Sequence, residues 1–137
     1  LHRLQSRYDA AQWSSIIVND FATLCAEEKA WKLTTTSGVG ADERRLSEQY
    51  DAIIIDSPLS RLSSDLVNGM ELLSSNGVLY TTEPETPVGD YEEFDDDGKA
   101  KVDGFNSWIE FIQSTQETHY IAFVPLFGGT LVAFFKR

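Results

Sequence analysis

The sequence predicts an α/β fold in three layers, with a mostly parallel sheet that closes on a C-terminal antiparallel hairpin. Three observations carry that expectation. A short, β-branched run, Ala52-Ile53-Ile54-Ile55, ends on a carboxylate, Asp56, and is stopped by Pro58. A helix-spaced stretch, Ser60 to Ser74, then leads to a second apolar run, Val78 to Thr82, which ends on Glu83-Pro84. Strand, helix and strand in that order make a crossover unit with parallel strands. Finally, Tyr120 to Leu126 and Leu131 to Phe135 are β-prone runs joined by Phe127-Gly128-Gly129-Thr130, a turn too short for a parallel crossover.

The 137 residues suit one domain, residues 1–137, and 42% hydrophobic residues suffice for a packed core. The chain opens on Leu1, so it reads as N-terminally incomplete. No apolar run is long enough to span a bilayer, and nothing at the N-terminus has the pattern of a signal peptide. The net charge is −11, with 11 Lys and Arg against 22 Asp and Glu. Phosphate contacts depend on Lys and Arg, so nucleic acid is excluded as the main partner. The lone cysteine, Cys25, has no internal disulfide partner and lies among apolar neighbours at helical spacing. It reads as a core residue in a reducing, cytoplasmic compartment.

Taken in order, Trp13, Ile16, Ile17, Phe21, Leu24 and Cys25 form one helical stripe, which predicts a helix from about Asp9 to Ala30. The rival reading makes Ser15 to Val18 a strand and lets Asp20 open a shorter helix. Lys32 to Ser37 has strand propensity, Gly38-Val39-Gly40 is a turn, and Asp42 to Gln49 is a short polar helix. The run from Tyr50 to Pro58 reads as a strand buried on both faces, with Ile54 fully buried. In open α/β sheets ligands bind beyond the carboxyl ends of the strands, so Asp56 sits where the chemistry belongs. Asp56 is equally well read as a cap for the following helix. That helix has Leu62, Leu66, Met70 and Leu73 on its inner face, and Asn76 or Gly77 suits a left-handed C-cap.

Residues 83–104 form an acidic loop insertion, with Glu83, Glu85, Asp90, Glu92, Glu93, Asp95, Asp96 and Asp97 ahead of any base. Glu93, Asp95, Asp97 and Gly98 imitate the start of a calcium loop, but Gly104 stands where the closing Glu belongs. A solvated acidic loop is therefore expected, and no metal site. A helix follows at Phe105 to Thr115, with Trp108, Ile109 and Ile112 on one side.

From Lys32 to the end, this order resembles the C-terminal part of a class I S-adenosylmethionine-dependent methyltransferase, a Rossmann-like fold. Tyr-Asp-Ala-Ile-Ile-Ile-Asp-Ser-Pro at 50–58 is similar to the family's fourth strand with its terminal acid. Glu71 to Tyr80 is similar to its leucine-leucine, turn, glycine, strand signature, with Asn76 where a first glycine is usual. Gly128 to Phe135 is similar to its last strand. The resemblance implies that Asp56 is the catalytic acid near the methyl acceptor. It implies that Ser57 and Pro58, in a segment similar to the Asp-Pro-Pro-aromatic motif, line the cofactor, although Ser57 and Leu59 depart from that motif. It implies Asp42 as the acid that contacts the adenine, and Glu83 as a substrate-side residue.

The family's glycine-rich loop has no counterpart in this sequence. The resemblance thus implies an upstream segment or partner chain that completes the sheet and brings S-adenosylmethionine, with an isolated chain that is incomplete or inactive. The acceptor, on oxygen or nitrogen, is left open. The alternative is a non-catalytic acidic interaction module on a degenerate methyltransferase fold, with a basic protein partner at the acidic loop. A P-loop ATPase would need a Gly-rich loop with Lys and Ser or Thr, which the sequence lacks.

Overall fold

The computed structural model describes residues 14–34, 46–47, 49–90 and 95–137. The chain divides into two compact units, Leu1–Leu46 and Ser47–Arg137. In the first, the described residues form one helix, α1 (Phe21–Thr34). The Asp20 carboxylate accepts the Thr23 N–H at 3.0 Å and the Thr23 hydroxyl at 3.1 Å. That is N-cap chemistry, and it starts the helix here. The continuous helix expected from Asp9 is therefore not formed, because residues 14–20 are neither helix nor strand. Leu24, Cys25 and Glu28 are the buried stripe. Lys32, Leu33 and Thr34 finish α1 instead of opening a strand. Extending a formed helix adds one hydrogen bond per residue, which outweighs a weak β preference. The rest of that expected strand, the Gly38–Gly40 turn and Asp42 lie outside the described residues; Leu46, Ser47 and Gln49 are not helical.

The second unit runs β1 (Tyr50–Ile54), α2 (Leu59–Leu72), β2 (Leu73–Thr82), α3 (Asp96–Thr115), β3 (His119–Leu126) and β4 (Gly129–Lys136). Its four strands make one sheet in the order β1-β2-β4-β3. The crossover through α2 sets β1 parallel to β2, as expected, while β4 is antiparallel to both β2 and β3. The sheet is therefore mixed and mostly antiparallel in its pairings, not mostly parallel. The hairpin joins through its second strand, and the reason lies in the two sequences. Val132, Ala133 and Phe134 of β4 are all buried, which suits a central strand. Pro125 in β3 cannot donate to a ladder, which confines β3 to the edge. The two-residue turn between them relies on Gly128 at φ 98°.

Both α2 and α3 cover one face of this sheet. Leu79 of β2 stands opposite Phe134 of β4, and both are fully buried. Trp108 and Phe111 of α3 meet the Phe134 ring edge-on, at centroid separations of 6.4 and 5.5 Å. On α2 the buried positions are Leu62, Asp65, Leu66, Gly69 and Leu72, with Met70 only half-buried. At Gly69 the helix lies so close to β2 that a Cβ would come within 2.8 Å of the Leu79 side chain.

Side chains alternate along a strand, so the opposite face carries Ile54, Tyr80 and Phe135. Ile54 is 78% exposed and Ile55 only 7%. The expectation that Ile54 is fully buried is thus wrong, as is that of a strand covered on both faces. Within this unit β1 is an edge strand, and only the face shared by Ile55, Leu79 and Phe134 is packed by helices.

Two boundaries also move. The acidic loop stops at Asp95, and residues 96–104 belong to α3 rather than to a loop. Asp95 accepts the Gly98 N–H at 2.8 Å, and Asp96 and Asp97 occupy the first turn, where the helix dipole favours acids. The other shift is at Gly77, which is not a C-cap: the cap is Leu73, whose N–H donates to the Met70 carbonyl, and the chain passes straight into β2. Gly77 is needed for closeness, since a Cβ there would lie 2.9 Å from the Tyr50 carbonyl oxygen. Among the described residues no helix is long and apolar enough to cross a membrane.

Candidate functional site at the carboxyl edge of the parallel strands

The parallel pair β1 and β2 ends on one edge of the sheet, and there the chain makes two exits. After Ile54 the ladder gains one more bond, Ile55 N–H to the Tyr80 carbonyl at 2.9 Å. Asp56, Ser57 and Pro58 then turn into α2. After Thr82, Glu83 donates its N–H to the Thr130 carbonyl at 2.8 Å, and residues 84–88 run on without regular structure. Pro84 and Pro87 hold that strap out of the sheet, since neither can donate to a ladder.

Between these exits lies a cavity of about 520 Å³. Ser57, Leu59 and Leu62 form the α2 side and Thr81 and Thr82 the strand end. Pro84 to Val88 form the strap side, and Lys101 of α3 closes it. The buried Thr81 hydroxyl donates to the Ile55 carbonyl at 2.9 Å, tying the two strand ends together. Ser57 donates to the buried Asp65 carboxylate at 2.6 Å, which ties the second turn of α2 to the strand exit. The Asp97 carboxylate, 2.7 Å away, hydrogen-bonds the Lys101 ammonium and holds it above the usual lysine range.

The structure thus brings Ser57 to the cavity wall. Asp56 is exposed beside it and does not line it; nor does it cap α2, whose N-cap is Pro58 with no side-chain bond. Glu83 is exposed on the same edge, next to the strap, with Glu85 rather than Glu83 on the wall. Asp42 lies outside the described residues. Sequence reasoning missed Asp65, Thr81, Glu85 and Lys101. Asp65 had a signal, since it falls three residues after Leu62 and one before Leu66, on the inner face of α2. Lys101 had none, because its approach depends on where α3 packs.

A second cavity of about 480 Å³ opens at the other end of the sheet, among Gln49, Met70, Phe111, His119 and Lys136. It is nearly as large, but it sits at the amino ends of β1 and β2, away from the edge where such sheets hold ligands. Burial, and then the charge of Lys136, lower the His119 pKa there.

Among the described residues no group of His, Cys, Asp or Glu side chains is placed to hold a metal ion. Nor do these residues by themselves fit S-adenosylmethionine. The hydroxyls of Ser57 and Thr81 are committed internally. Among the described residues the positive-φ glycines are Gly89, Gly128 and Gly129, none of them in the turn after β1.

No protein-family model matches the chain, and no curated protein does. Among solved structures, a protein assigned as an rRNA methylase from Clostridium thermocellum superimposes on 98% of this chain and 64% of its own, with a TM-score of 0.59 at 11% identity. The S-adenosylhomocysteine-bound methyltransferase PaMTH1 of Podospora anserina matches 85% of this chain and 57% of its own, with a TM-score of 0.46 at 14% identity. The chain thus spans less than two-thirds of either protein's length. An α/β chain with the order β1-β2-β4-β3, a reversed β4 and its exits gathered at one edge superimposes on such a protein along nearly its whole length, and its fold is therefore like that of the class I S-adenosylmethionine-dependent methyltransferases.

Proposed function

We propose that the chain is the acceptor-side part of a cytoplasmic methyltransferase-type domain. One observation carries this reading: a cavity of about 520 Å³ opens at the carboxyl edge of the parallel strands, between the β1 exit and the strap after β2. Asp56, at the β1 exit, orients the acceptor or takes its proton. Glu83 stands on the substrate side, while Ser57 and Pro58 lie towards the cofactor. The described residues do not form the cradle for S-adenosylmethionine, so an upstream segment or a partner chain supplies it by pairing with the open edge of β1. The same addition covers the face that carries Ile54 and Phe135, making the third layer. Positioning and exclusion of water are then the domain's main contribution to transfer onto oxygen or nitrogen.

Calorimetry with S-adenosylmethionine tests this on residues 1–137 and on a version extended upstream. The expected outcome is weak or no binding by the first and binding by the second; no binding by either rejects catalysis. In the extended protein, Asp56→Asn should lower methyl transfer by roughly a hundredfold or more. Unchanged transfer would remove Asp56 from the reaction.

A second reading, an acidic module that binds a basic protein, draws support from the exposure of Glu83, Glu85, Asp90, Asp95, Asp96 and Asp97. Partners recovered equally well after charge reversal at Asp95 to Asp97 would count against it.

A further inference from the structure

The walls of the cavity at the carboxyl edge bear on what it can hold, if it is the acceptor side as read above. Its body is apolar, formed by Leu59 and Leu62 on α2 and by Pro84, Pro87 and Val88 on the strap. Its volume is that of a site for a small molecule, within the range of roughly 300–1,000 Å³. The Ser57 and Thr81 hydroxyls donate elsewhere, to Asp65 and to the Ile55 carbonyl, which leaves Thr82 and Thr86 as the remaining hydroxyls of the lining.

Two charged residues line the cavity, and they are not equivalent. Lys101 pairs with Asp97 at 2.7 Å, in an exposed bridge one helical turn apart on α3. Glu85 is exposed, and no ion pair or hydrogen bond holds it among the described residues. The adjoining chain adds exposed Asp56, Glu83 and Asp90, all of the same sign. A polyanion must neutralise its phosphates with Lys and Arg. The base on this wall is already paired, and the whole chain has half as many bases as acids, 11 against 22.

We propose that the cavity takes a small, largely apolar molecule that carries a cationic amine, and that it rejects nucleic acid. The amine sits at Glu85, and the apolar body lies between Leu62 and the proline strap. This assigns Glu85 as the residue that selects the ligand's charge.

The binding arm of the test needs neither cofactor nor turnover. Residues 1–137, labelled with ¹⁵N, are titrated with phenylethylamine, with phenylpropionate as an anion of similar size, and with a short single-stranded RNA at low salt. The amine should shift resonances within Thr81 to Val88 and at Lys101, and bind about tenfold more tightly than the carboxylate. RNA should shift none of them. Glu85→Lys, a change at an exposed position, should reverse the order of amine and carboxylate. Equal binding of the two, no shift with millimolar amine, RNA moving the same resonances, or an unchanged order in Glu85→Lys would each overturn the proposal. Amine binding at the cavity with no methyl transfer by the upstream-extended protein would sink the methyltransferase reading alone. Transfer to RNA by that protein would sink this one alone.

Discussion

Ile54 and Ile55 are adjacent, chemically identical and energetically unlike. Ile55, 7% exposed, packs on the helix-covered face, and Ile55→Ala should cost about 2–5 kcal/mol through lost transfer energy and a cavity. Ile54 is 78% exposed, so Ile54→Ala should cost less than about 1 kcal/mol. Urea unfolding of both variants checks this; equal losses would mean that β1 is covered on both faces. His119 makes a second prediction at this scale. Burial and its cross-strand partner Lys136 lower its pKa, so the unfolded chain binds this proton more readily than the folded one. Its contribution to stability is then complete above the unfolded value near 6.5 and falls as pH drops through that value towards the lowered folded one. The group is only partly buried, so the effect is small. His119→Gln should lose less melting temperature than the parent as pH falls from about 7 to below 6. Identical pH dependence in the two proteins would discard it.

Among the elements, α3 shows how local chemistry sets a boundary. Its first turn holds Asp96 and Asp97, and Asp95 caps it through the Gly98 N–H. Asp95→Ala should cost about 1 kcal/mol, in line with other lost caps. The loss should show as faster amide exchange in residues 96–101, with little change at Trp108; uniform loss along α3 would mean that the cap does not act locally. The acids that read as a loop are thus partly a helix start, a pattern the sequence does carry. The pairing of α2 with α3 is tighter than pattern reasoning suggests. A Cβ at Gly104 would come within 2.8 Å of the Leu59 side chain and 3.3 Å of its carbonyl oxygen. Leu59 also lines the cavity, so a change at Gly104 reaches the site through packing.

At the scale of the whole molecule, charge is the dominant bulk property. A net charge of −11 on 137 residues opposes compaction through self-repulsion. The Asp97–Lys101 pair is highly exposed, so salt has little attraction to weaken there. Moderate salt should therefore raise the urea midpoint, because screening relieves more repulsion than attraction. A midpoint that falls with added salt would show that ion pairs dominate.

What the sequence determined by itself is what local pattern and short connections fix. The β1-α2-β2 crossover, the hairpin and the carboxylates at the strand exits were legible because each depends on residues close together in the chain. Tertiary structure decided the rest, because it depends on pairings between distant segments. Whether the hairpin joined by β3 or by β4 was settled by Val132 to Phe134 fitting a central position that Pro125 does not. Which of two isoleucines is buried followed from which face received α2 and α3. Ser57 was named from the strand exit, but its partner Asp65 lies in the second turn of α2. Lys101 and Glu85 reach the same cavity only because α3 and the proline strap fold over the edge of the sheet.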